Sequence, residues 1–331
     1  MNKLTAQIVR SWEKIKSRVA SIRVNDEALR KTAADLANQE LKTPNWRIPD
    51  VMPFNDHAFV SQSFYLAAID FCFTHMDGVT RYQYRENGPR GSMAAAQCFY
   101  DHFGETEADP DEILYITRSL TSCDKFFRGV TGIPMLKERR RNLEEAAKGI
   151  KKQFNGDPIN IVKSGLMGAV MSNLETFFPI SFAADISYYL LDDQKTLALP
   201  FAKRLLLWPL VYQGRALNSA GELTPLKDSY NLGPIADSAV PNALRTLKIL
   251  KYDEQLADLI DGRMEIMEQS NEEIEIRMAA VYAVQQLLDQ VNAYRRGLRK
   301  SLITIVELDY WLWMLGRQAA TPYHFTQTAN Y

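Results

Sequence analysis

The chain has 331 residues and a formal net charge of -1, so its overall electrostatics provide no general attraction to DNA or RNA. Hydrophobic residues make up 46% and charged residues 24%, which excludes a disordered chain and fits a globular protein with a substantial core. The three cysteines, Cys72, Cys98 and Cys123, are an odd number without metal-ligand spacing, which indicates reduced thiols and a cytoplasmic location.

We expect neither a metal site nor a membrane-spanning segment. The four histidines are scattered and include no His-x-x-x-His pair, so we predict no zinc site. The longest apolar stretch, LALPFAKRLLLWPLVY, is interrupted by Lys203 and Arg204 and falls short of the roughly 20 residues that span a bilayer. The amphipathic start lacks the apolar core of a signal peptide, so we expect a soluble protein.

Helical periodicity dominates the chain. The clearest stretch is 272–291, where Ile274, Met278 and Val281 share one face and Ser270 with Glu273 forms a capping-box pattern. In chain order, the predicted helices span residues 7–24, 26–39, 59–73, 92–103, 110–120, 136–153, 160–177, 198–212, 239–248, 253–268, 272–291 and 303–317.

Strand patterns are nearly absent. The stretch 79–87, VTRYQYREN, lies between Asp77-Gly78 and Asn87-Gly88 and predicts at most one short β-hairpin. We find no repeat and no linker rich in Pro, Gly or Ser, and the turns at 155–158 and 218–230 are too short to separate domains clearly. The sequence therefore predicts an all-α fold with a single helical domain over residues 1–331.

A basic run at Lys137–Arg141, KERRR, is the one feature that favours nucleic-acid binding. Glu144 and Glu145 follow one turn later, which is typical of a solvated helix face with pairs at i, i+4. We interpret the run as such a face and expect no bulk nucleic acid among the partners.

Several segments, met in the same order along the chain, resemble motifs of the queuosine salvage family. They are AIDFCFTH at 68–75, PFAKRLLLW at 200–208, DSYNLGPIADSAVPNALR at 228–245, SNEEIEIR at 270–277, LDYWLWMLGR at 308–317 and PYHFTQTANY at 322–331. In the third segment two acids, Asp228 and Asp237, are nine positions apart, and Val240 and Pro241 follow. The resemblance extends over nearly the whole chain, from about Trp12 to Tyr331.

The resemblance implies a fold and an activity. Members of the family hydrolyse the N-glycosidic bond of a 7-deazaguanine nucleotide, queuosine 5′-monophosphate, and release queuine and ribose 5-phosphate for salvage. They work without a metal or an organic cofactor, and their helical architecture resembles that of DNA glycosylases. The expected partner is a small nucleotide substrate; the sequence gives no indication of the oligomeric state.

The chain departs from the family pattern at several motif positions. The departures are Asp70 for Asn, Thr74 for Trp, Leu205-Leu206 for Ala-Gln, Ser238-Ala239 for Tyr-Arg and Gln327 for Arg. The apolar run after Arg204 also lacks an acidic residue that the pattern leads us to expect. These changes leave open a glycosidase for another purine or deazapurine nucleotide, or a catalytically inactive nucleotide-binding protein.

The resemblance points to Asp237 as the essential carboxylate. Departure of the base leaves an oxocarbenium-like sugar, which a carboxylate near C1′ stabilises, and a carboxylate also activates the attacking water. Asp237 lies in a Gly-Pro-Ile-Ala-Asp turn before a predicted helix, so it is alternatively an N-cap. If Ser238 caps the helix instead, Asp237 is available for chemistry.

Three other acids are candidates for substrate binding. Asp228 either holds the base or forms a loop Asx-turn. Asp309 stands among aromatic residues, so it is either in the site or buried with a partner such as Arg277 or Lys300. Asp70 belongs to the AIDFCFTH motif.

The remaining candidates are aromatic or cationic. Phe71 and Phe73 are either core residues or a platform that stacks on the base. Lys203 and Arg204 either bind the phosphate or extend from a buried helix towards solvent. At the end of the chain, residues that could close the site are Tyr323, His324 and Tyr331, which requires a docked tail rather than an exposed one.

Overall fold

A computed structural model describes residues 1–192 and 195–331. It is 54% helix and 8% strand, which confirms the prediction of a mainly helical fold. The α-helices are α1 (Lys3–Ile15), α2 (Asp26–Ala37), α3 (Asp56–Ala68), α4 (Ser92–Phe103), α5 (Pro110–Thr117), α6 (Leu120–Phe127), α7 (Leu136–Gln153), α8 (Ile159–Val162), α9 (Met167–Phe177), α10 (Lys203–Ala216), α11 (Ala239–Thr246), α12 (Glu254–Asp261), α13 (Asn271–Gly297) and α14 (Ile305–Gln318). A π-helical turn, Pro179–Ala183, follows α9.

The strands form two antiparallel pairs. Strands β1 (Ile22–Val24) and β4 (Leu250–Tyr252) pair with each other, and β2 (Ile186–Asp192) pairs with β3 (Lys195–Pro200). The helix predicted from residue 198 is therefore wrong over its first five residues, since α10 begins at Lys203. The sequence does not predict the β2–β3 pair, because β2 carries apolar side chains on its exposed face as well. The alternation of apolar and polar residues expected of a half-buried strand is therefore absent.

The hairpin predicted at residues 79–87 is not formed. Among the described residues, this stretch forms only two isolated β-bridges with its flanking residues, Thr74 with Arg81 and Gln83 with Arg90. Side chains satisfy the backbone instead: Asp77 accepts the amide of Thr80 at 2.8 Å, and the Thr131 hydroxyl accepts the amide of Gln83 at 2.8 Å.

Turn residues shortened several predicted helices. The helix predicted at 160–177 is divided into α8 and α9 at Gly165, whose φ of +65° is incompatible with a right-handed helix. The helix predicted at 253–268 ends at Asp261, because Gly262 caps it and Arg263 has φ +57°. Helix α6 was missing from the prediction.

The chain divides into two compact units. Unit 1 comprises Met1–Pro44, Asp185–Lys203 and Tyr230–Gln327. Unit 2 comprises Asn45–Ala184, Arg204–Ser229 and Thr328–Tyr331. Each is assembled from segments distant in sequence, and the single domain over residues 1–331 stays a prediction.

Helix α13 organises unit 1. It packs against α1, α2 and α11, and most of its side chains up to Leu287 are buried. Helices α11 and α14 approach closely at Gly316, where an added Cβ atom would lie 2.0 Å from the carbonyl oxygen of Ala239. Only glycine permits this approach, which brings the residues that precede α11 next to α14.

Helix α7 organises unit 2. It packs against α3, α5, α6 and the π-helical turn. Beside it, Phe64 contacts Phe178, Phe182 and Trp208, with ring centroids 5.1 to 5.2 Å apart. Gly149 on α7 accommodates the Phe178 ring, which would lie 2.4 Å from an added Cβ atom. This aromatic cluster is the core of the unit.

In the part of the chain that the structure describes, no helix combines the length and the apolar character needed to cross a bilayer.

Candidate functional site

Asp237 lies directly before α11 in unit 1 and is half-buried. Its Oδ1 accepts the backbone N–H of Val240 at 2.9 Å, so the carboxylate caps the helix. Among the described residues, Ser238 makes no capping bond with its side chain, and the expectation that Ser238 replaces Asp237 as the cap is wrong. The cap fixes the carboxylate at the positive end of the helix dipole.

The turn that carries Asp237 is held from three sides. The N–H of Ile235 donates to Oδ1 of Asp309 at 3.3 Å, and the carbonyl of Ala236 accepts Nε of Arg277 at 3.3 Å. At Gly233 an added Cβ atom would lie 2.1 Å from the hydroxyl of Thr5 on α1. Contacts from α1, α13 and α14 therefore position Asp237 rigidly.

Asp309 is the second acid of this cluster. It is buried on the inner face of α14, and only 6% of its surface is exposed. Burial and the negative charge of Asp237 raise its pKa well above the usual range, although the Ile235 amide and the Lys203 cation oppose the shift. The Lys203 side chain is buried too, and its backbone N–H donates to Asp185 at 2.9 Å.

The predicted partners of Asp309 are engaged elsewhere. Arg277 forms a buried bidentate ion pair with Asp185, with N···O distances of 2.9 and 2.6 Å. Nζ of Lys300 donates to the carbonyl of Asn38 at 3.1 Å. A cation that does act on Asp309 is Lys203, whose charge lowers its pKa.

His324 and Tyr323 also belong to unit 1. The backbone beside them pairs with the segment before α13, where the N–H of Ile266 donates to the carbonyl of Phe325 at 2.8 Å. His324 is buried, and burial together with the charge of Arg277 lowers its pKa to about 3. The ring is therefore neutral at physiological pH. Tyr323 is half-buried.

The aromatic motif at Phe71 and Phe73 lies in unit 2, where both rings are buried. The guanidinium of Arg139 covers them, 4.4 Å from the centroid of Phe71 and 4.3 Å from that of Phe73. Burial lowers the pKa of Arg139 to about 10, and Cys72 and Asp70 oppose this shift. A cation of the protein thus lies over one face of each ring that was a candidate for base stacking.

Arg139 itself changes the interpretation of KERRR. It is fully buried and donates to the carbonyls of Pro134, Phe71 and Cys72 at 2.8, 2.6 and 2.8 Å. Its neighbour Arg140 pairs with Glu144 at i, i+4, as expected of a solvated face. The run therefore combines one buried cation with a surface ion pair.

Arg204 is buried in unit 2, so the alternative in which it extends to solvent is wrong. Its guanidinium donates to backbone carbonyls of the π-helical turn, at 2.5 Å for Ser181 and 3.3 Å for Ile180. It also donates to the carbonyls of Ala329 and Asn330 near the end of the chain. These bonds stabilise the terminal segment against the π-helical turn.

Tyr331 is buried as well, and its carbonyl accepts the N–H of Cys72 at 2.8 Å. Of the two alternatives, the end of the chain is therefore docked rather than exposed.

Asp228 binds the beginning of a helix. It has φ +50°, and its two oxygens accept the N–H groups of Met167 at 2.9 Å and Gly168 at 3.2 Å. These are the first amides of α9, which has no cap from its own preceding residue among the described contacts. Asp228 therefore caps a helix that is distant in the sequence.

Comparison with known proteins identifies the family. The model of the family described as "Queuosine salvage protein" matches residues 51–331. This chain belongs to the queuosine salvage protein family. Its resemblance to that family in motif order is thereby confirmed.

Relatives from distant organisms match this family member over most of its length. Proteins named queuosine 5′-phosphate N-glycosylase/hydrolase are 25% identical in Sphaerobacter thermophilus and 27% identical in Dictyostelium discoideum. The first alignment covers 98% of this chain and 97% of the relative, and the second covers 94% of each. A mouse protein of the same name is 29% identical over 66% of this chain.

Within the described residues of this queuosine salvage protein, no group of three His, Cys, Asp or Glu side chains is arranged to hold a metal ion. The three cysteines are free thiols, and burial raises the pKa of Cys123 to about 12. A thiol with such a pKa is a poor nucleophile.

The chemistry available in unit 1 of this family member comes from two unlike acids. Asp237 stands at a helix N-terminus, where an amide donor stabilises a negative charge, and Asp309 is buried beside it. Sequence reasoning did not identify Asp185 or the supporting role of Arg277. The SNEEIEIR motif contained a signal for Arg277, but Asp185 stands in a stretch without any motif.

Proposed function

We propose that this chain hydrolyses the N-glycosidic bond of queuosine 5′-monophosphate and releases queuine and ribose 5-phosphate. The observation that carries the proposal is an acid pair in a queuosine salvage protein: Asp237 lies on a rigid turn, and Asp309 of α14 accepts an amide of that turn. The relatives' name, queuosine 5′-phosphate N-glycosylase/hydrolase, supports the same reaction.

Asp237 has the main chemical role in this proposal. As the base leaves, positive charge develops on the ribose, and a carboxylate held close to C1′ stabilises it. The bond from Val240 and the turn contacts keep the carboxylate oriented, which lowers the reorganisation required in the transition state. The same carboxylate orients the water that attacks C1′ and accepts its proton.

The residues proposed to contact the substrate differ in how well their surroundings suit that role. Lys203 is a buried cation in the same cluster as the acids, which suits a phosphate ligand. Arg204 donates to backbone carbonyls, which favours a structural role. The other residues proposed to bind the substrate are Asp70, Phe71, Phe73, Asp228, Asp309, Tyr323, His324 and Tyr331.

The fold and setting are part of the same proposal. We propose one domain with the helical architecture of DNA glycosylases, acting in the cytoplasm on a small nucleotide without a cofactor and without binding bulk nucleic acid. The free thiols support the cytoplasmic setting.

A second candidate is a glycosidase for another purine nucleotide. The departures at Asp70 and Ser238-Ala239 favour it, because they change hydrogen-bonding groups within two family motifs. A third candidate, an inactive binding protein, predicts tight nucleotide binding without turnover.

The test is incubation of the purified protein with queuosine 5′-monophosphate, with the unphosphorylated nucleoside and with GMP, followed by chromatography of the free base. We expect queuine from the nucleotide and much less from the nucleoside. Release of guanine alone would support the second candidate. Binding of queuosine 5′-monophosphate without release from any substrate would support the third.

A further inference from the structure

We propose that Asp309 is a catalytic residue, the acid that gives a proton to the departing base while Asp237 serves the ribose. This inference rests on the proposed function, because it assigns the two steps of that hydrolysis to two different carboxyl groups. It goes beyond a binding role for Asp309, which would require only a hydrogen bond.

A hydrogen bond joins Asp309 on α14 to the turn that carries Asp237. Asp309 accepts the N–H of Ile235, two residues before Asp237 in the same buried turn. The turn cannot shift easily, because α13 holds Ala236 through Arg277 and α14 approaches α11 at Gly316. A substrate positioned against Asp237 therefore lies close to Asp309 as well.

The two acids have opposite surroundings. Asp237 is half-buried and accepts an amide at a helix N-terminus, which favours the carboxylate. Asp309 is buried on α14, as are Leu308 and Leu312, and burial favours the neutral acid. Pairs of carboxyl groups separated in this way divide into a base and an acid.

Charged groups lie near Asp309 on the turn and on the helices packed around it. Burial raises the pKa of Asp309 most, and the charge of Asp237 on the turn raises it further. The charge of Lys203, at the start of α10, lowers it. From α13 the charge that contacts the turn is Arg277, which is paired with Asp185. On α11, Arg245 is paired with Asp261 at 2.7 Å. Together these effects keep the pKa of the Asp309 carboxyl well above its usual range.

A 7-deazapurine needs such an acid. Carbon replaces N7, so the protonation site that assists the departure of ordinary purines is missing. The C1′–N9 bond breaks with its electron pair on the base, and the proton of Asp309 neutralises that base at another ring atom. Water then bonds to C1′ and gives its proton to Asp237, and proton transfer from Asp237 to Asp309 through solvent restores both groups.

The competing interpretation is structural. In it, Asp309 only compensates the buried Lys203 cation and positions the turn through Ile235. Both interpretations predict that a variant loses activity on queuosine 5′-monophosphate, so the loss alone does not separate them. The two interpretations are separated by a substrate whose leaving group departs without a proton.

The test therefore uses two substrates, queuosine 5′-monophosphate and 4-nitrophenyl β-ribofuranoside 5-phosphate, whose nitrophenolate needs no protonation. We expect Asp309→Asn to lose at least about 100-fold in kcat on the first and to retain most of its activity on the second. Asp237→Asn should lose activity on both substrates, because both pass through the same ribosyl cation. Equal losses for Asp309→Asn on the two substrates would overturn the assignment.

The amide side chain introduced by Asp309→Asn keeps an oxygen for the Ile235 N–H, so the variant can retain the fold, which thermal unfolding checks. A second measurement applies whether or not the wild type accepts the nitrophenyl substrate. The fall of kcat/KM on queuosine 5′-monophosphate at high pH should disappear in Asp309→Asn, and its persistence would also overturn the assignment. Failure of the wild type to release queuine would instead refute the proposed function.

Discussion

Two sets of buried charged residues, one in each unit, differ in what surrounds them. In unit 2 the buried guanidinium groups of Arg139 and Arg204 donate to backbone carbonyls, so each cation is satisfied by the fold around it. In unit 1 a pair of carboxyl groups, Asp237 and Asp309, lies with Lys203 in a cluster where burial and Asp237 raise the pKa of Asp309 and Lys203 lowers it. Buried charge that is saturated by backbone groups is structural, whereas acids held in unlike surroundings are suited to catalysis.

Substitution of Asp237 tests the chemical side of this comparison and has the largest expected effect. Asp237→Asn should reduce kcat for the release of queuine by about 100-fold or more, because the amide cannot stabilise the ribosyl cation. Asp253 offers a matched control, since it also accepts an i+3 amide at 2.9 Å before α12. Asp253→Asn should leave the kinetics unchanged, and equal losses in both variants would reduce Asp237 to a helix cap.

Substitution of Arg139 tests the structural side. Arg139→Met should lower the free energy of unfolding by about 3–5 kcal/mol, because the carbonyls that it binds would stay buried without donors. Arg140→Met is the control, since Arg140 is partly exposed and makes a surface pair with Glu144. It should cost no more than about 1 kcal/mol in chemical denaturation. A similar loss for both would mean that burial of Arg139 is energetically unimportant.

The close approach of α11 and α14 can be tested at Gly316. Gly316→Ala places a methyl group against the carbonyl of Ala239, so we expect a loss of about 1–3 kcal/mol in denaturant unfolding and a lower kcat through displacement of the turn. At Gly297, at the end of α13, no described atom lies within 4 Å of an added Cβ. Gly297→Ala should leave stability unchanged or slightly higher; a loss there equal to that of Gly316→Ala would contradict the packing argument.

A pH dependence in unit 1 provides the last test of the comparison. His324 has its pKa lowered to about 3 in the folded state, so between about pH 6.5 and pH 3 the unfolded chain binds a proton that the folded chain does not. The contribution of the neutral His324 ring to stability is fully present above about pH 6.5. Below that pH, the free energy of unfolding falls by about 1.4 kcal/mol for each pH unit.

Unfolding measured from pH 7 to pH 4 should therefore show a shallower slope in His324→Gln than in the wild type. His57 is exposed, and His57→Gln should keep the wild-type slope. Identical slopes in the wild type and His324→Gln would show that the ring is protonated in the fold.

Much of the fold was predictable because it depends on local signals. The bounds of α4 and α7 agree with the helical pattern residue for residue, and Ser270 caps α13 through the amide of Glu273 as its motif indicates. The β2–β3 pair was missed because its exposed face is apolar. Local propensity carries no information about such cases.

The candidate site was predictable only through motifs. Asp237, Lys203 and Asp309 were each named from the sequence, and the structure brings them together in unit 1. Asp185 was not predictable, because its partner Arg277 is 92 positions away in the chain. Arg139 was taken for a surface residue, since a run of like charges gives no sign that one member points inwards.

By itself, the sequence determined the helical class and the order of family motifs, since both depend on residues close together in the chain. Only the tertiary structure decided which charges are satisfied by backbone and which act on one another. That distinction depends on burial and on contacts between segments far apart in sequence, such as Asp309 with Ile235 and Asp228 with Met167. The free energy of a buried charge is set by the groups that surround it, and a linear pattern does not contain them.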